Sequence, residues 1–331
     1  MLLHDDTLSV LSASTSMFVA VDSKRGPHVT PDLFVESSGR LWSFTAAKAL
    51  KVRTLTKKPR CGVLVWNGDD AVVMAATATV VDARDPLGVA TSGAALDVPR
   101  IAASFASKHA IELAGGAFDL ISGRFGTLPG RWVLLSLEVD AVAHVRGNEL
   151  VHDDGWGAVS SPVVEGGSTD GADTDDLGDE TDDDGRTIAV EALPDAVAHL
   201  ASRERAALGW YTAHGPLALP ARWALDTSTA TVAARVFDVV GGGSHSPAAV
   251  TIDEWVSPGP SGKRGLMLRG QGTASPSEDG VEVAVTAERA VVWDGVETES
   301  VAGIRDFADG TGHTATVSDP NKDPKKETRA G

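Results

Sequence analysis

The sequence is poor in cysteine, in aromatic residues and in long apolar runs, and these shortages exclude several classes of protein. Cys61 is the one cysteine among 331 residues, so the chain can form neither an internal disulfide nor a cysteine-rich zinc site. No apolar run approaches the roughly 18 residues of a transmembrane helix, and residues 1–6 lack the basic and apolar regions of a signal peptide. We therefore expect a cytoplasmic protein that does not enter a membrane.

Basic residues are also in the minority. The 29 Lys and Arg residues stand against 46 Asp and Glu residues, and the formal net charge is -17. A charge of this size repels a phosphate backbone, so we expect no nucleic-acid partner. Ten acidic residues, with no Lys or Arg among them, lie between Glu165 and Asp184. This composition predicts a disordered acidic linker over residues 153–186, and a second polar stretch predicts a disordered tail over residues 307–331.

The two parts of the chain on either side of this linker resemble each other, which indicates an internal duplication. The matched features are Gly26-Pro27 with Gly215-Pro216, Pro31 with Pro220, Pro59 with Pro247, and residues 132–147 with residues 281–295. The first two matches share an offset of 189 residues and the third has an offset of 188, whereas Gly147 and Gly295, at the end of the last match, are 148 residues apart. The first copy therefore carries an insertion, which we assign to residues 85–130.

The insertion is where the pattern predicts helices. Asp97 is suited to an N-cap, helical spacing of apolar residues follows it, and Gly115-Gly116 would end that helix before a second short one. In the second copy we expect the matching helix over residues 191–207. The remaining segments are short, rich in Val, Ala and Thr, and separated by turns, which predicts strands. We expect a mainly β chain with helices, built as two small β-barrels over residues 1–152 and 187–306.

The motifs of the first copy, taken in order, resemble the pyridoxamine 5'-phosphate oxidase-like split β-barrel family. The resemblance rests on residues 26–34 (Gly-Pro-His-Val-Thr-Pro-Asp-Leu-Phe), residues 39–45 (Gly-Arg-Leu-Trp-Ser-Phe-Thr), and residues 51–60, which precede an apolar strand. The second copy is reached mainly through the internal repeat. Members of the family include flavin mononucleotide (FMN) oxidoreductases and deazaflavin (F-420) reductases, and they work as homodimers with the cofactor at the subunit interface.

The resemblance implies two tandem split β-barrels that form a pseudo-dimer within one chain, which could act as a monomer. It also implies an oxidoreductase that holds FMN, or alternatively F-420, between the barrels and moves hydride or electrons to or from a small organic substrate. Haem is a further alternative cofactor. The competing interpretation is a non-catalytic module that binds a flavin, a deazaflavin or haem. The sequence points to no particular catalytic residue and to no set of metal ligands.

Residues near the end of one predicted strand are suited to hold a phosphate. Residues 46–57 are predicted to form a short helix directly after Thr45, and a helix N-terminus favours an anion. Lys48 and Lys51 share a face of that helix, and Arg53 could add a further contact. The resemblance gives Lys51 the role of the phosphate-binding lysine and Thr45 that of the strand-end hydroxyl. The alternative interpretation is an ordinary solvated basic helix.

Further cofactor contacts are implied by the resemblance and by the repeat. His28 and Thr30 align with positions that line the flavin. In the second copy the spacing aligns Val239 with Lys51, so we expect that copy to have lost its phosphate site and to supply only a wall. Trp210 and Arg269 are its candidate cofactor contacts, although barrel core is the alternative interpretation for Trp210.

Two other features receive a structural interpretation. Residues 259–264 (Gly-Pro-Ser-Gly-Lys-Arg) have the composition of a phosphate-binding loop, but their spacing does not match that motif and they lie between two predicted strands. We therefore expect a hairpin tip. Cys61 begins an apolar strand, so we expect a small core residue instead of a nucleophile.

Overall fold

The structure is a computed structural model that describes residues 3–82, 98–121, 132–157, 200, 203–225, 227–258, 262–295 and 297–302. Its strands form two antiparallel sheets, one from each copy of the repeat. Within the described residues, no helix is long and apolar enough to cross a membrane.

The first copy forms an eight-stranded sheet. Its strands are β1 (Ser16–Ser23), β2 (Gly26–Leu33), β3 (Val35–Ser37), β4 (Arg40–Ala46), β5 (Arg60–Asn67), β6 (Asp70–Val81), β7 (Trp132–Arg146) and β8 (Glu149–Asp154). They follow the order β2-β1-β5-β6-β7-β4-β3, and β8 pairs with β7. The helices of this half are α1 (Asp5–Ala13), α2 (Leu50–Lys57), α3 (Val98–Lys108) and α4 (Ala110–Ile121).

The second copy forms a seven-stranded sheet. Its elements are β9 (Arg205–Thr212), β10 (Gly215–Ala224), β11 (Thr229–Val232), α5 (Ala234–Val240), β12 (His245–Trp255), β13 (Lys263–Ser277), β14 (Gly280–Asp294) and β15 (Glu297–Ala302). The order is β11-β10-β9-β12-β13-β14-β15, and β11 also pairs with β14. This additional pairing closes β9 to β14 into a ring, whereas the first sheet stays open between β2 and β3.

Matching hairpins in the two sheets confirm the predicted duplication. Strands β1 and β2 pair down to Ser23 opposite Gly26, and β9 and β10 pair down to Thr212 opposite Gly215. Both turn glycines have a positive φ, 96° and 101°, which a residue with a Cβ adopts poorly. The Ser23 hydroxyl donates to the Gly26 carbonyl at 2.7 Å, and the Thr212 hydroxyl donates to the Gly215 carbonyl at 3.1 Å. The same turn chemistry therefore recurs 189 residues later.

The later strands also correspond. A β-bulge interrupts the β6–β7 ladder between Ala75 and Ala76, and another interrupts the β13–β14 ladder between Arg269 and Gly270. Because bulges bend strands and increase their twist, equivalent bulges give the two sheets a similar curvature. The predicted fold class, mainly β with two tandem barrels arranged as a pseudo-dimer, is confirmed.

The two sheets pack on each other through corresponding strands. β2 lies against β9, β12 and β13, and its counterpart β10 lies against β1, β5 and β6. At the crossings the backbones approach so closely that glycine is required: a Cβ on Gly62 would overlap the backbone of Leu217, and one on Gly209 would lie 2.6 Å from Val29 Cγ2. A continuous cluster of buried apolar side chains runs from the first sheet into the second. The halves therefore share one interface with approximate two-fold symmetry.

Helices are present in the predicted insertion, but their boundaries differ from the prediction. Gly115-Gly116 does not end a helix, because both residues lie inside α4 in the right-handed helical conformation. The break falls instead at His109, between α3 and α4. The segment predicted as a separate second helix overlaps the end of α4, and its remainder lies outside the described residues. Helix α1 is an addition to the predicted elements, and Val10 and Leu11 bury its apolar face.

Two other boundaries also change. The helix predicted over residues 191–207 is wrong at its end, because Arg205 begins strand β9. Of residues 191–202, the structure describes Leu200 alone. The first barrel does not stop at residue 152: β8 continues to Asp154, and the buried Trp156 donates its indole N–H to the Val142 carbonyl at 2.8 Å. Most of the predicted linker and the predicted tail lie outside the described residues.

Cys61 is a core residue, as predicted. It is 1% exposed, and its thiol lies 3.6 Å from the Ala76 carbonyl oxygen. Burial, followed by the nearby negative charge of Asp140, raises the pKa of this thiol to about 12. A thiol held in its neutral form is a poor nucleophile, in agreement with the position of Cys61 in the core.

Candidate cofactor site between the barrels

One face of strand β2 brings together the first group of predicted site residues. His28, Thr30 and Asp32 occupy alternate positions of the strand, so their side chains share a face. Helix α2 carries Lys51 to this face, where its ammonium donates to Thr30 Oγ1 at 3.2 Å and to Asp32 Oδ1. The structure thus joins the predicted Thr30 and Lys51. Asp32 was missed, although its spacing from His28 and Thr30 could have indicated it.

The Lys51–Asp32 ion pair is almost completely buried. The two side chains are 8% and 10% exposed. Removing two charges from water is costly, and their mutual attraction offsets that cost only when the remaining polar atoms are also satisfied. Asp32 Oδ2 is buried and has no hydrogen-bond partner among the described residues. In this state the charge of Lys51 is compensated from within the chain.

The second barrel adds Lys263 to the same place. Its ammonium donates to the Pro31 carbonyl at 2.7 Å and lies 5.8 Å from the centroid of the Trp255 ring. Burial lowers the pKa of Lys263, and the neighbouring carboxylates of Asp253 and Asp32 oppose that shift. Strands β12 and β13 pair as a hairpin, with Trp255 opposite Lys263, and Lys263 at the start of β13 contacts the other barrel.

Asp253 is the second carboxylate of this group. Burial raises its pKa to about 6, while Lys263 and a hydrogen bond from Trp293 act in the opposite direction. The Trp293 indole N–H donates to Asp253 Oδ1 at 3.1 Å. A modest fall in pH from neutrality therefore changes the average charge of the Asp253 carboxyl.

Arg269 and His28 meet at the adjacent end of β2. The Arg269 guanidinium, 8% exposed, donates to Ser23 Oγ at 2.5 Å and to the Gly26 carbonyl at 3.1 Å. Burial, then the charges of Arg269 and Lys51, lower the pKa of His28 to about 3. His28 is therefore neutral at physiological pH. Its Nδ1 is buried without a hydrogen-bond partner among the residues that the structure describes.

The other predicted residues of the first copy are not gathered at this point. Thr45 is buried in β4 opposite Val133, and α2 begins only at Leu50. The predicted helix over residues 46–57 is therefore wrong at its start, because pairing with β7 extends β4 to Ala46, and Thr45 does not adjoin a helix N-terminus. Lys48 and Arg53 are exposed and make no ion pair within the described part of the chain.

Trp210 lies in the interior of the second barrel. Its side chain is 0% exposed, and its ring centroid is 5.9 Å from that of Phe237. Along β9 it alternates with Gly209, the residue that contacts the first barrel. The structure therefore places Trp210 in the barrel core, away from the group around Lys51.

The counterpart of this site, on the other side of the approximate two-fold axis, has different chemistry. By strand register, Ala221 corresponds to Asp32, and Trp66 corresponds to Asp253. The carbonyls of Ala49 and Ala233 accept the first hydrogen bonds of α2 and α5, so these two residues correspond. Lys51 and the exposed Arg235 each lie two residues further along and therefore also correspond. The alignment of Val239 with Lys51 was wrong, because the connection from strand to helix is shorter in the second copy.

An open cleft of about 460 Å³ occupies that second position. Both barrels contribute to its walls. The lining residues are Trp66, Gly68, Asp69, Asp70, Ala71, Gly147, Asn148, Glu204, Arg205, Pro220, Ala221, Arg222, Thr231, Ala233 and Asp279. No side chain there is both cationic and buried, so the cleft offers no protected cation for a phosphate.

The first position, by contrast, fits a phosphate-bearing group. It combines three cationic side chains (Lys51, Lys263 and Arg269) with two carboxylates (Asp32 and Asp253), in a protein whose net charge is -17. Donors that are shielded from water form strong charge-assisted hydrogen bonds to phosphate oxygens. A phosphate that enters must compete with Asp32 for Lys51.

No protein-family model matches the chain, and no curated protein matches it. Solved structures of pyridoxamine 5'-phosphate oxidase-like proteins do match part of it. A FAD-binding protein from Mesorhizobium loti matches at 20% identity and a TM-score of 0.32, over 43% of this chain and 94% of the other.

Two further structures match in the same way. A pyridoxamine 5'-phosphate oxidase-related, FMN-binding protein from Nostoc punctiforme matches at 19% identity and a TM-score of 0.32, over 44% of this chain and 87% of the other. A protein of the pyridoxinephosphate oxidase family from Clostridium acetobutylicum matches at 11% identity and a TM-score of 0.31, over 45% of this chain and 92% of the other. At these TM-scores the likeness carries no argument about function, and the two-barrel fold rests on the sheets described above.

Proposed function

We propose that the chain binds a flavin, FMN or F-420, between its two barrels and uses it to exchange hydride or electrons with a small organic substrate. The observation that carries the proposal is the group of buried and partly buried cationic side chains where the barrels meet: Lys51 from one barrel, Lys263 and Arg269 from the other. Such an arrangement in a strongly acidic protein favours a ligand with a phosphate.

The chain's own residues would bind and orient the ligand. Lys51 would hold the phosphate, with the Thr30 hydroxyl beside it. His28, neutral and with a buried free Nδ1, can accept a hydrogen bond from a ligand N–H or O–H. Arg269 is fixed by two hydrogen bonds, so it supplies a positive charge in a constant position. When bound, a flavin would supply the redox chemistry itself, and the protein would position it and tune its electronics.

The second candidate function is a non-catalytic module that binds a flavin, a deazaflavin or haem. One observation favours it: Asp32 already neutralises Lys51, which weakens the site for an anion compared with a free lysine. The two functions differ in turnover and agree on the place of binding. A bound flavin that a nicotinamide cofactor or another reductant cannot reduce would support the second function over the first.

Binding is tested by titrating the purified full-length protein with FMN, F-420 and haem, following visible absorption and ligand fluorescence. We expect one of the two flavins to bind with one ligand per chain, because only one of the two equivalent positions holds buried cations. The variant Lys51→Met should weaken binding about 10-fold or more. Lys57→Met, on the same helix but exposed, is the matched control. If none of the three ligands binds, the proposal fails.

We also propose that one chain is the functional unit, because the interface that the family builds from two subunits is built here within a single chain. Light scattering coupled to size-exclusion chromatography should give the mass of one chain. If the mass is that of two chains and dilution abolishes ligand binding, this part of the proposal is wrong.

A further inference from the structure

Lys263 occupies an unexpected position for a residue of a hairpin. It begins β13, directly after the connection from β12, where the sequence predicts an exposed tip. Its ammonium instead reaches the first barrel and donates to the Pro31 carbonyl, a contact between residues 232 positions apart. The side chain is partly buried, and its ammonium lies 5.8 Å from the centroid of the Trp255 ring.

Three consecutive residues of β2 hold two ammonium groups. Lys51 donates to Thr30 and to Asp32, and Lys263 donates to the carbonyl of the residue between them, Pro31. Two positive charges this close repel each other in a site shielded from water. The carboxylate of Asp32 offsets that repulsion, and Asp253 assists it from the second barrel.

Asp32 fills this role incompletely. One of its oxygens accepts from Lys51, while the other is buried and has no hydrogen-bond partner among the described residues. A buried polar atom without a partner lowers the stability of the fold. A phosphate monoester carries more negative charge and more acceptor oxygens, so it can accept from both lysines at once.

We propose that Lys51 and Lys263, one from each barrel, together anchor the phosphate of the cofactor, and that Asp32 takes the place of the phosphate until the cofactor binds. The inference rests on the proposed function. It adds a second anchoring residue from the second barrel, and it makes cofactor binding depend on the packing of the two barrels. It also assigns a role to Lys263, which lies in a segment whose sequence pattern alone predicts a hairpin tip.

The test compares two ligands that differ in the phosphate alone. The full-length protein and its variants are titrated with FMN and with riboflavin, and dissociation constants are obtained from flavin fluorescence. If the wild type binds F-420 instead, the series uses F-420 and its deazariboflavin core, which lacks the rest of the charged tail as well as the phosphate. We expect Lys51→Met and Lys263→Met each to weaken FMN binding about 10-fold or more while leaving riboflavin binding within about two-fold. Lys57→Met should change neither.

A conservative variant protects the test against loss of folding. Lys263→Arg keeps the positive charge, so it should retain most of the preference for FMN over riboflavin, and the melting temperature of each variant is measured in parallel. If the wild type binds no flavin, the proposed function fails. If the wild type prefers FMN and Lys51→Met loses that preference while Lys263→Met keeps it, the proposed function stands and the shared anchor is wrong.

Discussion

The Tyr211 hydroxyl donates a hydrogen bond to Asp22 Oδ1 at 2.6 Å, across a separation of 189 residues. That separation equals the offset of the internal repeat, so the two residues occupy corresponding positions in the two copies. They meet where the approximate two-fold axis passes between the barrels. If the copies were identical, Asp22 would face a second aspartate there, and the two carboxylates would repel each other. Divergence of the copies has replaced that repulsion with a hydrogen bond.

We predict that Tyr211→Phe lowers the free energy of unfolding by about 1.5 to 3 kcal/mol, the usual range for a hydrogen bond to a charged acceptor. Burial and the Asp22 carboxylate raise the pKa of Tyr211, so the hydroxyl remains a donor at all ordinary pH values. Unfolding in urea measures the change. Lys58→Met is the control: Lys58 donates to the other oxygen of Asp22 at 2.6 Å but is 64% exposed.

Because exposed ion pairs contribute little, the control should cost less than about 1 kcal/mol. If both variants have the same small effect, the Tyr211–Asp22 contact does not stabilise the interface.

A second prediction concerns the close crossing of β5 and β10. Gly62→Ala would place a methyl group against the backbone of Leu217, which belongs to the other barrel and cannot move without separating the sheets. We expect a loss of about 3 kcal/mol or more in the free energy of unfolding, at the upper end of the range for overpacked cores. Denaturant unfolding and the yield of folded protein measure it.

Gly243→Ala is the matched control, since the nearest atom to its added Cβ is the His245 carbonyl oxygen at 3.9 Å. It should change stability by no more than about 0.5 kcal/mol. Equal stability of the two variants would contradict the proposed packing of the barrels.

The duplication and the fold class could be predicted because they depend on local signals. Turn glycines such as Gly26 and Gly215 need positive φ values, so they recur at the offset of the repeat and mark equivalent hairpins. Short alternating strands between such turns indicate small barrels. The boundaries were less predictable: Gly115-Gly116 has the composition of a helix end, but the surrounding helix tolerates both residues at a modest propensity cost.

The candidate site could be predicted only in part, because its contacts join distant residues. Lys51 and Thr30 were identified through the motifs around them. The partner of Lys51, Asp32, depends on which face of β2 meets α2, and the motifs do not show this. The contribution of Lys263 spans 232 residues and crosses between the barrels, so no local pattern contains it.

A third prediction concerns the dependence of stability on pH. The pKa of Asp253 is raised to about 6, so between about pH 4 and pH 6 the folded chain holds a proton that the unfolded chain releases. The contribution of this group to stability is therefore present at low pH and is lost as the pH rises through 6. The charged groups that face Asp253 are Lys263, Glu254 and Asp32. Asp253→Asn removes the titration, and its amide oxygen can still accept from Trp293.

Relative to the wild type, the Asp253→Asn variant should gain stability progressively from about pH 4 to pH 6 and then level off. Urea unfolding across this range measures the difference. Asp294→Asn, a change at an exposed carboxylate of β14, is the control and should give only a small difference. The lowered pKa of His28 has the opposite effect on stability in this range, because it makes the fold less stable as the pH falls. Each variant must therefore be compared with the wild type at the same pH. A constant difference for Asp253→Asn would contradict the assignment.

The last prediction concerns Asp32, whose removal should affect the free and the bound protein in opposite directions. Asp32→Asn keeps the shape of the side chain but leaves the buried Lys51 without its counter-ion, so the free protein should lose about 3 kcal/mol of stability. The same change removes a negative charge from the place where a phosphate would bind. We therefore expect the affinity for FMN, or for F-420 if that is the ligand, to rise about 10-fold.

The melting temperature measured without and with the cofactor reports both effects. Asp32→Asn should melt below the wild type when free and should show the larger increase on saturation, because stabilisation by a ligand grows with its affinity. Inorganic phosphate should produce a weaker increase of the same sign. If the affinity falls instead, Asp32 contributes a contact to the ligand, and the competition between this carboxylate and the phosphate does not exist.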